Sequence, residues 1–186
     1  IFYKKYAEIY VRASPDAAEK MLADEIKDLL GPRLSTSLIR ASNTAIFNFV
    51  QSVLNMTNVM AEKRPELCSD FLNGKTDSIE YINFYQNQLD ENIKTNFYSS
   101  LLDVIISAEK SPGNYTFMQE DIEKAMEAPM EKAIVLAGSS ASFLINETSP
   151  QNPKDACVVI GAIYGEILKM KSPIREDLLR YILTEE

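Results

Sequence analysis

The chain has no histidine and no tryptophan, and among its 186 residues there are only two cysteines and six glycines. Each shortage removes chemistry. Without histidine there is no Ser-His or Cys-His nucleophile pair, no His-liganded zinc, no Glu-x-x-His di-iron bundle, and no side chain that ordinarily titrates near neutral pH. The scarcity of glycine fits the absence of both G-x-x-x-x-G-K-[ST] and G-x-G-x-x-G, which excludes nucleotide binding through a standard phosphate loop. Cys68 and Cys157 lie too far apart for a CxxC redox pair or a local zinc knuckle. Positive charge is also short, with 19 Lys and Arg against 27 Asp and Glu and a net charge of -8. Phosphate contacts need clustered basic residues, so nucleic acid and anionic membrane surfaces are not expected partners. No apolar run reaches the ~20 residues that span a bilayer, so this segment is not expected to insert into a membrane.

What the sequence does contain is helix punctuation. Ser14-Pro15-Asp16 opens a helix and Gly31-Pro32 stops it, with Ala18, Met21, Leu22, Ile26, Leu29 and Leu30 on one face. A longer helix is expected from about Ser35 to Lys63, turning Leu38, Ile46, Phe49, Val50, Val53, Met56 and Met60 inward. A short one opens at Pro65. From Ile79 to Ala108 the apolar spacing predicts a single helix of ~45 Å, ending at the Ser111–Asn114 loop. Thr116 caps a helix to about Ala128, where Pro129 either kinks it or separates it from a segment over Met130–Ile145. After the polar linker Asn146–Pro153, the stretch Lys154–Lys169 is apolar almost all round and is expected to be the central buried helix. Ser172-Pro173 begins the last helix, with Ile174, Leu178, Leu179 and Ile182 facing inward.

No stretch alternates with period two, so the expected fold is all-α. One domain over 1–186 should form an irregular bundle of seven to eight helices around the buried helix at 154–169. Residues 1–13 are readable as the tail of an upstream anchor or linker.

Cys68 and Cys157 both sit among apolar neighbours and are read first as buried thiols. The alternative, a disulfide, would imply an oxidising compartment. Ser107-Ala108-Glu109-Lys110 matches S-x-x-K but lacks the accompanying S-D-N and K-T-G strings, so it reads as chance. Glu120, Glu123 and Glu127, with Asp121 beside them, have a spacing that could offer oxygens to a divalent cation, but acids near a helix start more simply complement its dipole in a solvated face. The sequons at Asn55, Asn114 and Asn146 are a weak signal in a chain with twelve asparagines.

Two patterns stand out. Between Ala41 and Ala61 there is no charge, while Thr44, Asn48, Gln51, Ser52, Asn55 and Asn58 repeat at helical spacing. A helix face in water normally carries Lys and Glu, so Asn48, Gln51, Ser52 and Asn55 are the candidate ligand-binding residues or else an interhelical seam. Gly161 and Gly165 should permit a close helix crossing, expected against the Ala-rich segment Ala133–Asn146. No catalytic residue, cofactor or metal site is assigned. The function expected is a non-catalytic helical interaction domain, the extracytoplasmic part of a secreted or membrane-anchored protein, whose partner is another protein or a second copy. The alternatives are a small-molecule sensor using the uncharged stripe and, for location, the cytoplasm.

Overall fold

The structure, a computed structural model, describes residues 34–76, 78–110, 119–142 and 152–184. The helix expected between Ser14 and Gly31, the tail at 1–13, the Ser111–Asn114 loop, the Thr116 cap and most of the Asn146–Pro153 linker lie outside them. Helix α1 covers 34–40, α2 Asn43–Lys63, α3 Pro65–Leu72, α4 Ile79–Asn87 and α5 Glu91–Lys110. Then follow α6 (Gln119–Ala137), a 3-10 turn (Gly138–Ala141), α7 (Pro153–Leu168) and α8 (Ile174–Thr184). Among the described residues there is no strand, and the chain is an all-α bundle.

The two longest expected helices are each broken. Ser42 leaves helical space (φ -62°, ψ 154°), and its Oγ accepts the Ala45 N–H at 3.3 Å, which caps α2. Distant groups hold this break open. Arg180 of α8, fully buried, donates Nη2 to the Ala41 carbonyl at 2.7 Å and to Asn43 Oδ1 at 2.8 Å. The Ser42 N–H donates to Ser107 Oγ of α5 at 3.2 Å. An orphan carbonyl at a helix end is thereby satisfied by a guanidinium from the far end of the chain.

The helix expected from Ile79 to Ala108 breaks between Gln88 and Asp90. Asp90 accepts the Asn92 N–H on its carboxylate at 2.8 Å and the Lys94 N–H on its carbonyl at 3.1 Å, while Leu89 turns into the core at 4% exposure. An aspartate that competes for backbone N–H groups starts a new helix, and apolar spacing alone does not register that. Pro129 has the opposite outcome. It lies inside α6, which continues to Ala137 and stops at Gly138, where φ is +56°. That left-handed residue ends α6 and the 3-10 turn follows, while residues 143–145, the end of the expected segment, lie outside the described residues.

The core is shared by two helices. α2 buries Ala45, Ile46, Phe49, Val50, Val53, Met56 and Met60 and packs against α3, α5, α7 and α8. The stretch expected to be central, now α7, packs on α2, α3, α6 and α8, and buries Cys157, Val159, Tyr164, Glu166 and Ile167. Its small residues face differently from expectation. A Cβ on Gly161 would lie 3.4 Å from Asn58 Oδ1 and 3.7 Å from Leu54 Cδ1, so Gly161 meets α2. The Ala-rich segment instead packs Ala137 and Ala141 on Val159, with Val158 and Ile163 alongside.

A second cluster of Met56, Met60, Leu67, Tyr81, Phe84 and Leu89 contains both cysteines, which are bonded to each other with Cα atoms 6.2 Å apart. This corrects the reading as two thiols. Leu67 and Phe71 beside Cys68, and Val158 and Val159 after Cys157, are apolar because the bond is buried in the core, a setting that local sequence cannot distinguish from two unpaired buried sulfurs.

Two outcomes follow from this packing. The bond closes a loop across a separation of 89 residues. Cys68→Ala/Cys157→Ala should therefore lose about 2–5 kcal/mol in urea melts, and unreduced, denatured wild type should titrate no free thiol. A loss under about 1 kcal/mol would mean that the bond constrains the unfolded chain little.

Asp177 gives a pH signature. Burial pushes its carboxyl above the ordinary range; Arg180, whose Nη1 donates to it at 3.3 Å, pulls it back, and Glu176 adds to the rise. A raised folded-state value means that its stabilisation is present at low pH and is lost as pH climbs through that value. Asp177→Asn should accordingly gain on wild type between about pH 3 and pH 7 in paired urea melts. A gap moving the other way would show that attraction to Arg180 outweighs burial.

Candidate groove between the second and fifth helices

The uncharged stripe splits into an inner and an outer row. Helices α2 and α5 cross on small and aromatic residues: the Phe49 and Phe97 rings are 6.0 Å apart, and Ser52 Oγ lies 2.7 Å from Ser100 Oγ. Both hydroxyls are buried, and each also reaches its own helix, Ser52 to the Phe49 carbonyl at 2.7 Å and Ser100 to the Phe97 carbonyl at 2.9 Å. Two hydroxyl protons thus serve three contacts, so at any moment one of the three is not a hydrogen bond. This hydroxyl pair is the floor of a groove.

Above the floor is an open cavity of 280 Å³ lined by Asn48, Gln51, Ser52 and Asn55 from α2 and Asn96, Ser99, Ser100 and Asp103 from α5. All four residues named from the sequence line it. Gln51 Nε2 donates to Asn55 Oδ1 at 3.3 Å, while Asn48, Asn55, Asn96, Ser99 and Asp103 are exposed. Among the described residues, Asn48, Asn96 and Ser99 make no side-chain hydrogen bond, which leaves amide and hydroxyl capacity facing the opening.

The geometry departs from the expected pocket in one respect. The cavity lining is divided about evenly between polar and apolar surface, as in ordinary ligand sites, but it is open and just below the ~300 Å³ at which such pockets usually begin. The outer stripe residues lie elsewhere: Thr44 is exposed and Asn58 turns toward Gly161. The α5 half of the groove was missed by the sequence reading. Its signal was the same kind of row, Asn96, Ser99, Ser100 and Asp103 at helical spacing, which apolar periodicity overshadowed.

On its outward side α5 carries an apolar ridge. Tyr98, Leu102 and Ile106, one turn apart, are 53%, 55% and 43% exposed. Tyr98 is the exposed member of a closed chain of rings, Phe97–Phe71–Tyr81–Tyr85–Tyr98, whose centroids are 5.8 to 6.3 Å apart. Burial is the main cause pushing the Tyr81 and Tyr85 hydroxyls above their ordinary range. A rigid ring stack therefore backs one end of the ridge.

The other sequence candidates are dispersed. Glu120, Glu123 and Glu127 are exposed on α6, and among the described residues no group of three His, Cys, Asp or Glu is placed to hold a metal ion. Ser107 of the S-x-x-K string donates to the Val104 carbonyl and accepts from Ser42, a structural post at the α1–α2 break. Asn55 is exposed within α2, while Asn114 and Asn146 lie outside the described residues. No helix among the described residues is long and apolar enough to cross a membrane. The chain matches no protein-family model, no curated protein and no solved structure.

The floor can be tested directly. Ser100→Ala leaves Ser52 its own carbonyl partner, so it should cost about 0.5–1.5 kcal/mol, the net value of one hydrogen bond. The double variant Ser52→Ala/Ser100→Ala should cost clearly less than the sum of the singles by thermal melts. Strict additivity would show that the two hydroxyls do not interact.

Proposed function

We propose that this domain is a non-catalytic helical interaction module that docks a protein partner on the outward side of α5. The observation carrying this reading is the ridge of Tyr98, Leu102 and Ile106, large apolar side chains about half exposed at one-turn spacing on a helix otherwise packed by its opposite face. Contiguous exposed apolar surface of this kind marks interaction sites more often than chance exposure. A row at i, i+4 and i+8 is how a helix presents anchors to a partner. The Cys68–Cys157 bond supports an extracytoplasmic home, because disulfides persist in oxidising compartments.

A second reading has its own observation. The groove beside the ridge brings eight polar side chains together, and it is a place for a small ligand.

The docking reading is tested by replacing Leu102 with a photo-crosslinking amino acid in the natural host. A discrete adduct is expected at position 102. It should disappear in Ile106→Glu and be absent when the probe replaces Glu131, an exposed position on α6. An adduct at twice the chain mass identifies the partner as a second copy. Failure to crosslink at 102, or equal adducts from both positions, would sink the proposal.

A further inference from the structure

The lining of the α2–α5 groove restricts the chemistry of what can enter. An anion meets no compensating charge, since none of the eight lining residues is Lys or Arg, Asp103 is acidic and the chain carries -8 overall. A wholly apolar molecule suits only the apolar half of the lining and would strip water from the amides and hydroxyls of the other half without replacing their hydrogen bonds. An amine meets a single exposed carboxylate, and exposed ion pairs contribute little. The chemistry left is that of a neutral molecule dense in groups that both donate and accept.

Asparagine and glutamine amides each present two donors and an acceptor side by side, and serine hydroxyls do both. A carboxylate can accept from two neighbouring hydroxyls at once. Asn48, Asn55 and Asn96 supply the amides on both walls and Asp103 the carboxylate, around the Ser52–Ser100 floor. The cavity of 280 Å³ stands at the lower end of the range for small-ligand sites. A single sugar ring is of that order.

We propose that this groove binds a neutral polyhydroxylated ring, a monosaccharide or the terminal sugar of a glycan. The Asn48, Asn55 and Asn96 amides bridge ring hydroxyls, and Asp103 accepts from a vicinal pair. The proposal rests on the ligand reading of the groove given above and is independent of the ridge. A ligand of about a dozen non-hydrogen atoms in an open groove binds with Kd on the order of 1 mM.

The test is a nitrogen-15 NMR titration of the oxidised chain, separately with glucose, N-acetylglucosamine, glucose 6-phosphate, glucosamine and acetamide. The expected result is saturable shifts of the Asn48, Asn55 and Asn96 side-chain amide signals with at least one neutral sugar. Glucose 6-phosphate should bind about tenfold more weakly or less, and Asp103→Asn should weaken the neutral sugar about fivefold or more with an unchanged amide spectrum elsewhere. Shifts at the same signals with acetamide or glucosamine, but not with either neutral sugar, would overturn the sugar assignment while leaving a ligand groove. Silence of those signals to every probe would overturn both.

Discussion

Everything else in this fold is arranged around the burial of α2. Packed by α3, α5, α7 and α8, it has room for water along one narrow strip, and its inner side chains, Ile46, Val50, Met56 and Met60, have essentially no exposed surface. Burying each such side chain is worth roughly 1.5–3 kcal/mol, whereas an unpaired charge at any of those positions would cost several times as much. The absence of charge at the buried positions between Ala41 and Ala61 is the sequence consequence of that packing, while Thr44, Asn48, Asn55 and Asn58 are exposed and uncharged all the same. The asparagines and serines of the strip are what remains where α2 looks past its neighbours toward solvent.

Helix α2 runs through both apolar clusters, and three further kinds of bond hold its neighbours in place. The Cys68–Cys157 link ties α3 to α7 across the second cluster. The ring chain through Phe71 and Phe97 carries contact from α3 and α4 to α5, and Phe49 joins it to the main core. At the opposite end Arg180 clamps the α1–α2 break from α8. A buried guanidinium is costly unless its charge is compensated, and a helix end, an asparagine and an aspartate converge on its two terminal nitrogens.

Groove and ridge are neighbours on α5 but differ in physics. The ridge offers apolar area backed by stacked rings, suited to a partner large enough to remove it from water. The groove offers unspent hydrogen-bonding capacity with almost no charge, suited to a partner that matches it group for group. Both derive from α5 being packed by one face only: its inward positions Val104 and Ala108 fill the core, and the remaining turns are divided between polar and apolar exposure.

Local sequence was enough for the all-α class, for the inward faces of α2 and α8, and for Asn48, Gln51, Ser52 and Asn55 as one surface. Each of these rests on helical periodicity and on the cost of placing the wrong polarity on a face, and both act over a few residues. The breaks at Ala41–Ser42 and Gln88–Asp90, the bonding of Cys68 to Cys157, the partner of Gly161 and the α5 wall of the groove were decided only in three dimensions. Uninterrupted apolar spacing permits a continuous helix at Ser42 but does not require one, and the Arg180 guanidinium that satisfies the Ala41 carbonyl comes from 139 positions away. Contacts at such separations depend on how helices stack, which no window of neighbouring residues encodes.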